Sequence, residues 1–263
     1  MLPPIEAKIQ RVEELALFLD YDGTLTSIRS RPEAARLPVN TRHLLEELSR
    51  QPGIWVAVVS GRALLDLKRK VGIKGICYVG NHGLELQGPK LRHINPVAQK
   101  SQPLLKRIAR LLKRALKPIV GAWVEDKGLT LAVHYREVKP QDKLAVRNLF
   151  HEVVRPYREQ QQVRVTAGKQ VFEVRPPVRW TKGTVVQWLL ARREALRSGA
   201  TILPIYIGDD QTDEDAFEAL RGRGICIAVG ASNPLTRAQY RVSSPDEVVR
   251  FLKLLLRIWD EKG

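Results

Sequence analysis

An apolar run over residues 15–19 ends in two carboxylates one residue apart, Asp20 and Asp22, followed by Gly23-Thr24. A buried strand that stops on Asp-x-Asp delivers both acids to the carboxyl edge of a sheet, where open α/β folds bind ligands. One acid of such a pair can act as nucleophile and the other as proton donor, provided a cation restrains their repulsion. The pair points to metal-assisted phosphoryl transfer through an aspartyl phosphate. A calcium loop fits poorly, because the glycine comes too early and Arg31 stands where a bidentate acid is needed.

The rest of the chain predicts the sheet that this strand requires. Leu44, Leu45 and Leu48 share one face of a helix expected over 40–51; strands are expected over 54–59 and 75–79, with a helix over 63–70 between them. This alternation is that of a doubly wound, Rossmann-like parallel sheet. The pattern then breaks. Residues 87–95 read as polar and turn-rich, and 104–117 as a basic amphipathic helix. Two strand pairs, 121–125 with 129–135 and 163–165 with 171–174, flank a helix over 142–159. They form an inserted α+β domain. The α/β pattern resumes with a helix over 181–198 capped by Thr181, and strands over 202–207 and 225–229. Thr212 to Asp215 and Ser244 to Glu247 have capping-box spacing. The expected organisation is a discontinuous core, 1–88 and 178–263, with the insert at 89–177.

The chain has 263 residues, 44% of them hydrophobic, enough for a sizeable core. A net charge of +16 favours anionic partners: phosphorylated metabolites, nucleic acid or an acidic surface. Cys77 and Cys226 both lie in strand-like runs, which predicts buried thiols, no disulfide and a reducing, cytoplasmic compartment. Residues 1–14 lack the apolar core of a signal peptide, and no run approaches the roughly 20 residues of a membrane span. In the helix over 104–117, Lys106, Arg107, Arg110, Lys113, Arg114 and Lys117 accompany Leu104, Ile108, Leu111 and Leu112. A solvated cationic face explains these charges, with an acidic partner or nucleic acid as the alternative. The lack of interleaved aromatic residues argues against stacking of single strands.

Further motifs fall at strand ends or helix starts. Ser60-Gly61-Arg62 offers a hydroxyl and backbone amides for a phosphate, although Ser and Gly also suit an N-cap and a turn. Lys182 opposes the dipole of the helix it opens; a bound phosphate would reward it there, and an exposed lysine bending into solvent is the alternative. Gly208-Asp209-Asp210-Gln211-Thr212-Asp213 follows a strand with three acids, suiting a hard cation such as Mg²⁺. Favourable helix-start acids would account for Asp213 but not for Asp209 and Asp210. Asn81-His82 follows the strand over 75–79 at the same edge and is read as a substrate contact. There is no Walker A string, no Gly-x-Ser-x-Gly elbow and no zinc-binding His-Glu-x-x-His.

The ordered set Asp-x-Asp-Gly-Thr, Ser-Gly-Arg, Lys and Gly-Asp-Asp resembles the haloacid-dehalogenase-like (HAD) phosphohydrolases over nearly the whole chain. The resemblance implies a doubly wound core with a cap inserted between the second and third motifs, where 89–177 falls. A narrower likeness lies in Gly80-Asn81-His82-Gly83 with Glu85, Glu125-Asp126-Lys127-Gly128, His134-Tyr135-Arg136, Glu173-Val174-Arg175-Pro176 and the string from Gly208 to Phe217. Together these are similar to the trehalose-6-phosphate phosphatases. That likeness implies Asp20 as nucleophile and Asp22 as acid and base. It implies Mg²⁺ held by Asp20, the Asp22 carbonyl and Asp209, with Asp210 and Asp213 behind them. Ser60 and Lys182 would hold phosphate oxygens, and Gly61 and Arg62 would bind the substrate beside them. Asn81, His82, Glu125, Lys127, His134, Arg136 and Glu173 would contact substrate. For Glu125 and Lys127 a solvated hairpin tip is the plainer alternative. The implied substrate is a sugar phosphate, trehalose 6-phosphate, with a functional link to the synthase that makes it. Glucosyl- or mannosyl-phosphoglycerate and sucrose phosphate remain open as substrates, as does a basic binding module on an inactive phosphatase fold.

Overall fold

A computed structural model describes residues 2–29, 31–168, 170–230 and 235–262. In chain order its elements begin with α1 (Leu2–Gln10), β1 (Glu14–Asp20), α2 (Val39–Arg50), β2 (Ile54–Val59), α3 (Leu64–Val71), β3 (Cys77–Gly80), β4 (Glu85–Gly88) and β5 (Leu91–Ile94). They continue with α4 (Pro96–Leu116), β6 (Trp123–Asp126), β7 (Leu131–His134), α5 (Lys143–Glu159), β8 (Arg164–Gly168) and β9 (Val171–Arg175). Last come α6 (Lys182–Leu196), β10 (Ile202–Gly208), α7 (Glu214–Ala219), β11 (Ile225–Val229), β12 (Tyr240–Val242) and α8 (Pro245–Asp260). The chain divides into two compact units, Met1–Arg92 with Trp180–Gly263, and His93–Arg179.

The first unit carries an eight-stranded sheet in the order β12-β11-β10-β1-β2-β3-β4-β5. Pairing is parallel from β12 to β3 and antiparallel between β3 and β4. Every residue of β1 is buried. Side chains alternate across a strand. Leu15, Leu17 and Leu19 therefore join one core with Leu44, Leu45 and Leu48 of α2 and Leu252 and Leu255 of α8, while Ala16 and Phe18 join Val185, Val186, Leu189 and Leu190 of α6 on the other face. A central parallel strand has to be apolar throughout, and each buried Leu or Phe contributes about 1.5–3 kcal/mol. Carboxylates can enter only where the strand ends.

In the first unit three features differ from the sequence expectation. Residues 87–95 are not all turn: β4 and β5 form a hairpin that extends the sheet, with Leu86 buried and Leu91 packed on the second core. Polar residues there reflect its position at the sheet edge. The helix α1, read only as a segment without a signal core, docks Ile5 and Ile9 into the first core. The acid-rich turn before α7 does not form the expected capping box; Asp213 stands at the N-cap without a side-chain cap bond, because its carboxylate is engaged elsewhere.

The second unit has an antiparallel sheet, β6-β7-β9-β8, packed on α4 and α5. The helix α4 starts earlier than expected, at Pro96, with Asn95 Oδ1 accepting from the Val97 and Ala98 amides at 3.0 and 3.2 Å. Its buried stripe is Leu105, Ile108, Leu112 and Leu116, at helical spacing, so Leu105 packs inward and Leu111 is exposed. Leu131, Val133, Phe172 and Val174 face this core. Glu125, Ala132 and Glu173 stand opposite one another on the other face, as do Trp123 and His134. Among the described residues no helix is long and apolar enough to cross a membrane. Cys77 and Cys226 are buried free thiols.

Candidate active site

Four adjacent parallel strands, β10, β1, β2 and β3, deliver motif residues at their carboxyl ends. Asp20 is the last residue of β1, Ser60 follows β2, Asn81 follows β3 and Asp209 follows β10. Backbone bonds knit these ends together: Ser60 N donates to Val79 O at 2.9 Å, His82 N to Ser60 O at 3.0 Å and Asn81 N to Arg62 O at 2.7 Å. Asn81 and His82 have φ of +47° and +55°, a left-handed conformation that costs a non-glycine residue energy and persists only where surroundings enforce it. Here the enforcement includes Trp180 Nε1, which donates to Gly83 O at 2.8 Å, and Glu85 Oε1, which accepts from Asn81 Nδ2 at 2.6 Å and Leu64 N at 2.8 Å.

Lys182 is buried, which sets aside the reading of a solvent-facing lysine. Its Nζ donates to Asp20 Oδ1 and to Asp213 Oδ1, both at 2.7 Å. Asp213 also accepts from Tyr206 Oη at 2.6 Å and, through Oδ2, from the Asp209 and Asp210 amides at 3.1 and 3.0 Å. Asp213 thus fastens Lys182, Tyr206 and the acidic loop to one point. Asp210 Oδ1 in turn accepts from the Thr212 amide and hydroxyl, both at 2.7 Å. Two glycines make room: a Cβ on Gly23, whose φ is +89°, would fall on the Asp209 carboxylate, and one on Gly208 would fall on that of Asp213.

The site is short of positive charge. Burial raises the pKa of Asp20 well above the ordinary carboxylate range, with Lys182 opposing. Burial, then Asp213 and Asp210, push Asp209 up to about 7, and burial lifts Asp213 to about 6 against the pull of Lys182. Lys182 itself is held charged: burial opposes its charge, but Asp20 and Asp213 outweigh burial and raise its pKa. Asp20, Asp209 and Asp213 each offer an oxygen within 4.8 Å of the others. An all-oxygen donor set whose members resist ionisation in one another's company fits a hard divalent cation.

Asp22 lies beside this cluster with a partner of its own. Arg62 Nε and Nη2 donate to its two oxygens at 2.6 and 2.7 Å, and Arg62 also reaches Asp66 Oδ2 and Pro32 O, both at 2.8 Å. Such a bidentate fork fixes the carboxylate's position and plane. The Ser60 hydroxyl accepts from Arg62 N at 3.2 Å. A Cβ on Gly61 would strike the His82 imidazole.

In the second unit, His134 Nε2 and Glu125 Oε2 lie 2.9 Å apart, and Lys127 Nζ donates to Glu173 Oε1 at 2.9 Å. Trp123 stacks on His134 with ring centroids 4.0 Å apart. Arg136 follows β7 on an exposed turn. Sequence reading missed Tyr206, which lies within an apolar strand and carries no motif, and Trp123, whose only signal is its place two residues before Glu125 on the same face.

The sequence profile of the family described as Trehalose-phosphatase matches residues 18–246. A trehalose-phosphate phosphatase of Mycobacterium bovis is 39% identical over 249 residues, or 92% of this chain; the chain spans 61% of that relative's length. Among solved structures, the C-terminal domain of Candida albicans trehalose-6-phosphate phosphatase superposes with a TM-score of 0.82 at 25% identity, covering 98% of both chains. A haloacid dehalogenase-like hydrolase from Bacteroides thetaiotaomicron gives a TM-score of 0.63 at 18% identity, over 92% of this chain and 99% of its own, a likeness of fold. With that profile over residues 18–246 and its acids gathered at one sheet edge, the chain belongs to the trehalose-phosphatase family.

Proposed function

We propose that this protein hydrolyses trehalose 6-phosphate to trehalose and inorganic phosphate. The observation that carries the reading is the cluster of Asp20, Asp209 and Asp213, the first and last of them buried, with Lys182 bonded to those two. In the first step an Asp20 oxygen attacks phosphorus as the bond to the sugar oxygen breaks, and Asp22 gives that oxygen a proton. In the second step Asp22 takes a proton from the water that attacks the aspartyl phosphate, which frees phosphate and restores both acids. Lys182 and Ser60 hold phosphate oxygens, and the Arg62 fork keeps Asp22 aimed. Asp213, whose oxygens already accept four bonds, acts by holding Lys182 and the loop in place. Asp20 and Asp209, with the Asp22 carbonyl, would hold Mg²⁺, and the bound cation would neutralise charge on the transferring group.

Glu125, Lys127, His134 and Glu173, with Arg136, are the groups we assign to the sugar hydroxyls, and Asn81 and His82 to the substrate beside the phosphate. A site built on paired carboxylates and cations rejects analogues that lack matching hydroxyls. The upstream reaction must be a glycosyl transfer onto a sugar phosphate. The test is phosphate release from a panel of sugar monophosphates, with Mg²⁺ and with chelator. Turnover of trehalose 6-phosphate at least tenfold above sucrose phosphate and glucosyl-phosphoglycerate, and only with the metal, is expected. Equal turnover across the panel would remove the substrate assignment, and no turnover of any ester would favour a binding module.

A further inference from the structure

A cavity of about 570 Å³ lies in the first unit, away from the acids. It sits at the opposite end of the same strands: Ile54, Trp55 and Val56 line it from the start of β2, and Gly75 and Cys77 from the start of β3. The length of β2 therefore separates it from Ser60, roughly 17 Å at strand rise. The tip and return strand of the β4–β5 hairpin, the last turns of α6 and Ser49 of α2 form the remaining walls.

The volume falls within the range of small-molecule sites. Its walls are chemically divided. Leu91, which is partly exposed, supplies apolar surface, while Val56 and Leu189 line the cavity as buried side chains. Trp55 adds an aromatic face that is fixed from two sides: Phe18 meets it edge-on with centroids 5.5 Å apart, and Arg193, bonded to the buried Glu14, lies 6.0 Å from its ring centre. Lys90 and Arg192 are both exposed at the rim, and neither has an ion-pair or hydrogen-bond partner among the described residues. Lys90 is presented by the hairpin tip with φ of +54°. A rigid aromatic and aliphatic pocket rimmed by two unspent cations is complementary to a molecule with a flat apolar body and one anionic group.

We propose that this cavity binds a small amphipathic organic anion, with its apolar body against Trp55 and Leu91 and its charged group between Lys90 and Arg192. The site is independent of the phosphatase reading, since none of its residues belongs to the acid cluster. The probe is 8-anilinonaphthalene-1-sulfonate, followed by fluorescence and by calorimetry on the full chain. Saturable binding of one molecule per chain is expected. The K90A/R192A pair should weaken it at least tenfold, since two charge contacts are removed together. L196E, which sets a carboxylate at an exposed position of the rim, should weaken it similarly by repulsion. Phosphate release should be unchanged in both variants. Absence of saturable binding, or an affinity unchanged in both variants, would overturn the proposal.

Discussion

Asp209 exposes a trade between stability and chemistry that can be measured. In the metal-free protein its carboxyl is pushed up to about 7 from an ordinary 3.8, by burial first and by Asp213 and Asp210 next. A group whose folded pKa is raised is bound to its proton more tightly in the folded chain. Its penalty is absent below the unfolded value and grows as pH rises through the window from 3.8 to about 7. The full shift corresponds to about 4 kcal/mol at pH 8. Partial exposure and proton sharing with neighbouring acids reduce this, and we take about half, ~2 kcal/mol. Asp209→Asn keeps the shape and removes the charge. With chelator at pH 8, urea unfolding should therefore find the variant about 2 kcal/mol more stable than the parent at an unchanged m. The gap should close towards pH 4. Mg²⁺ at a hundredfold its dissociation constant should stabilise the parent by about 2.7 kcal/mol and the variant by little, reversing the order. Phosphate release should fall at least about 100-fold in the variant. A metal-free parent more stable than Asp209→Asn at pH 8 would refute the reasoning, because it would make Asp209 a structural contact rather than a charge held in reserve for a cation.

Other outcomes follow from the same geometry. Asp20→Asn should lower trehalose-6-phosphate turnover by at least about a thousandfold, and turnover within tenfold of the parent would exclude the covalent route. Gly23→Ala places a methyl on the Asp209 carboxylate at a φ of +89°; we expect a loss of about 1–3 kcal/mol by chemical unfolding together with weakened Mg²⁺ binding. Glu125→Ala should abolish turnover of the disaccharide phosphate while sparing a small activated ester, whereas equal losses on both would mean that Glu125 supports the fold. Burial pushes the Cys226 thiol up to about 12, so at pH 8 a disulfide reagent should label it only after denaturant is added.

The sequence by itself determined the nature of the core and the set of chemical groups. Central parallel strands must be apolar on both faces, so residues 15–19 announced β1, and acids could appear only at its first and last positions, Glu14 and Asp20. Asp20, Ser60 and Asp209 stood out as polar residues at the ends of apolar runs, and Lys182 as a cation opposing the dipole of the helix it opens. The edge hairpin β4–β5 was not legible, because an edge strand is half solvated and reads like a turn. Only the tertiary structure decided who partners whom. Arg62, assigned from its motif to substrate, places its fork on Asp22 across 40 residues of chain, and Lys182 bridges Asp20 and Asp213 across 162 and 31. Tyr206 looked like one more strand residue until its hydroxyl met Asp213. Local pattern reports which face of an element is apolar; the direction of a buried hydrogen bond depends on which strands become neighbours, and that is set when the sheet assembles.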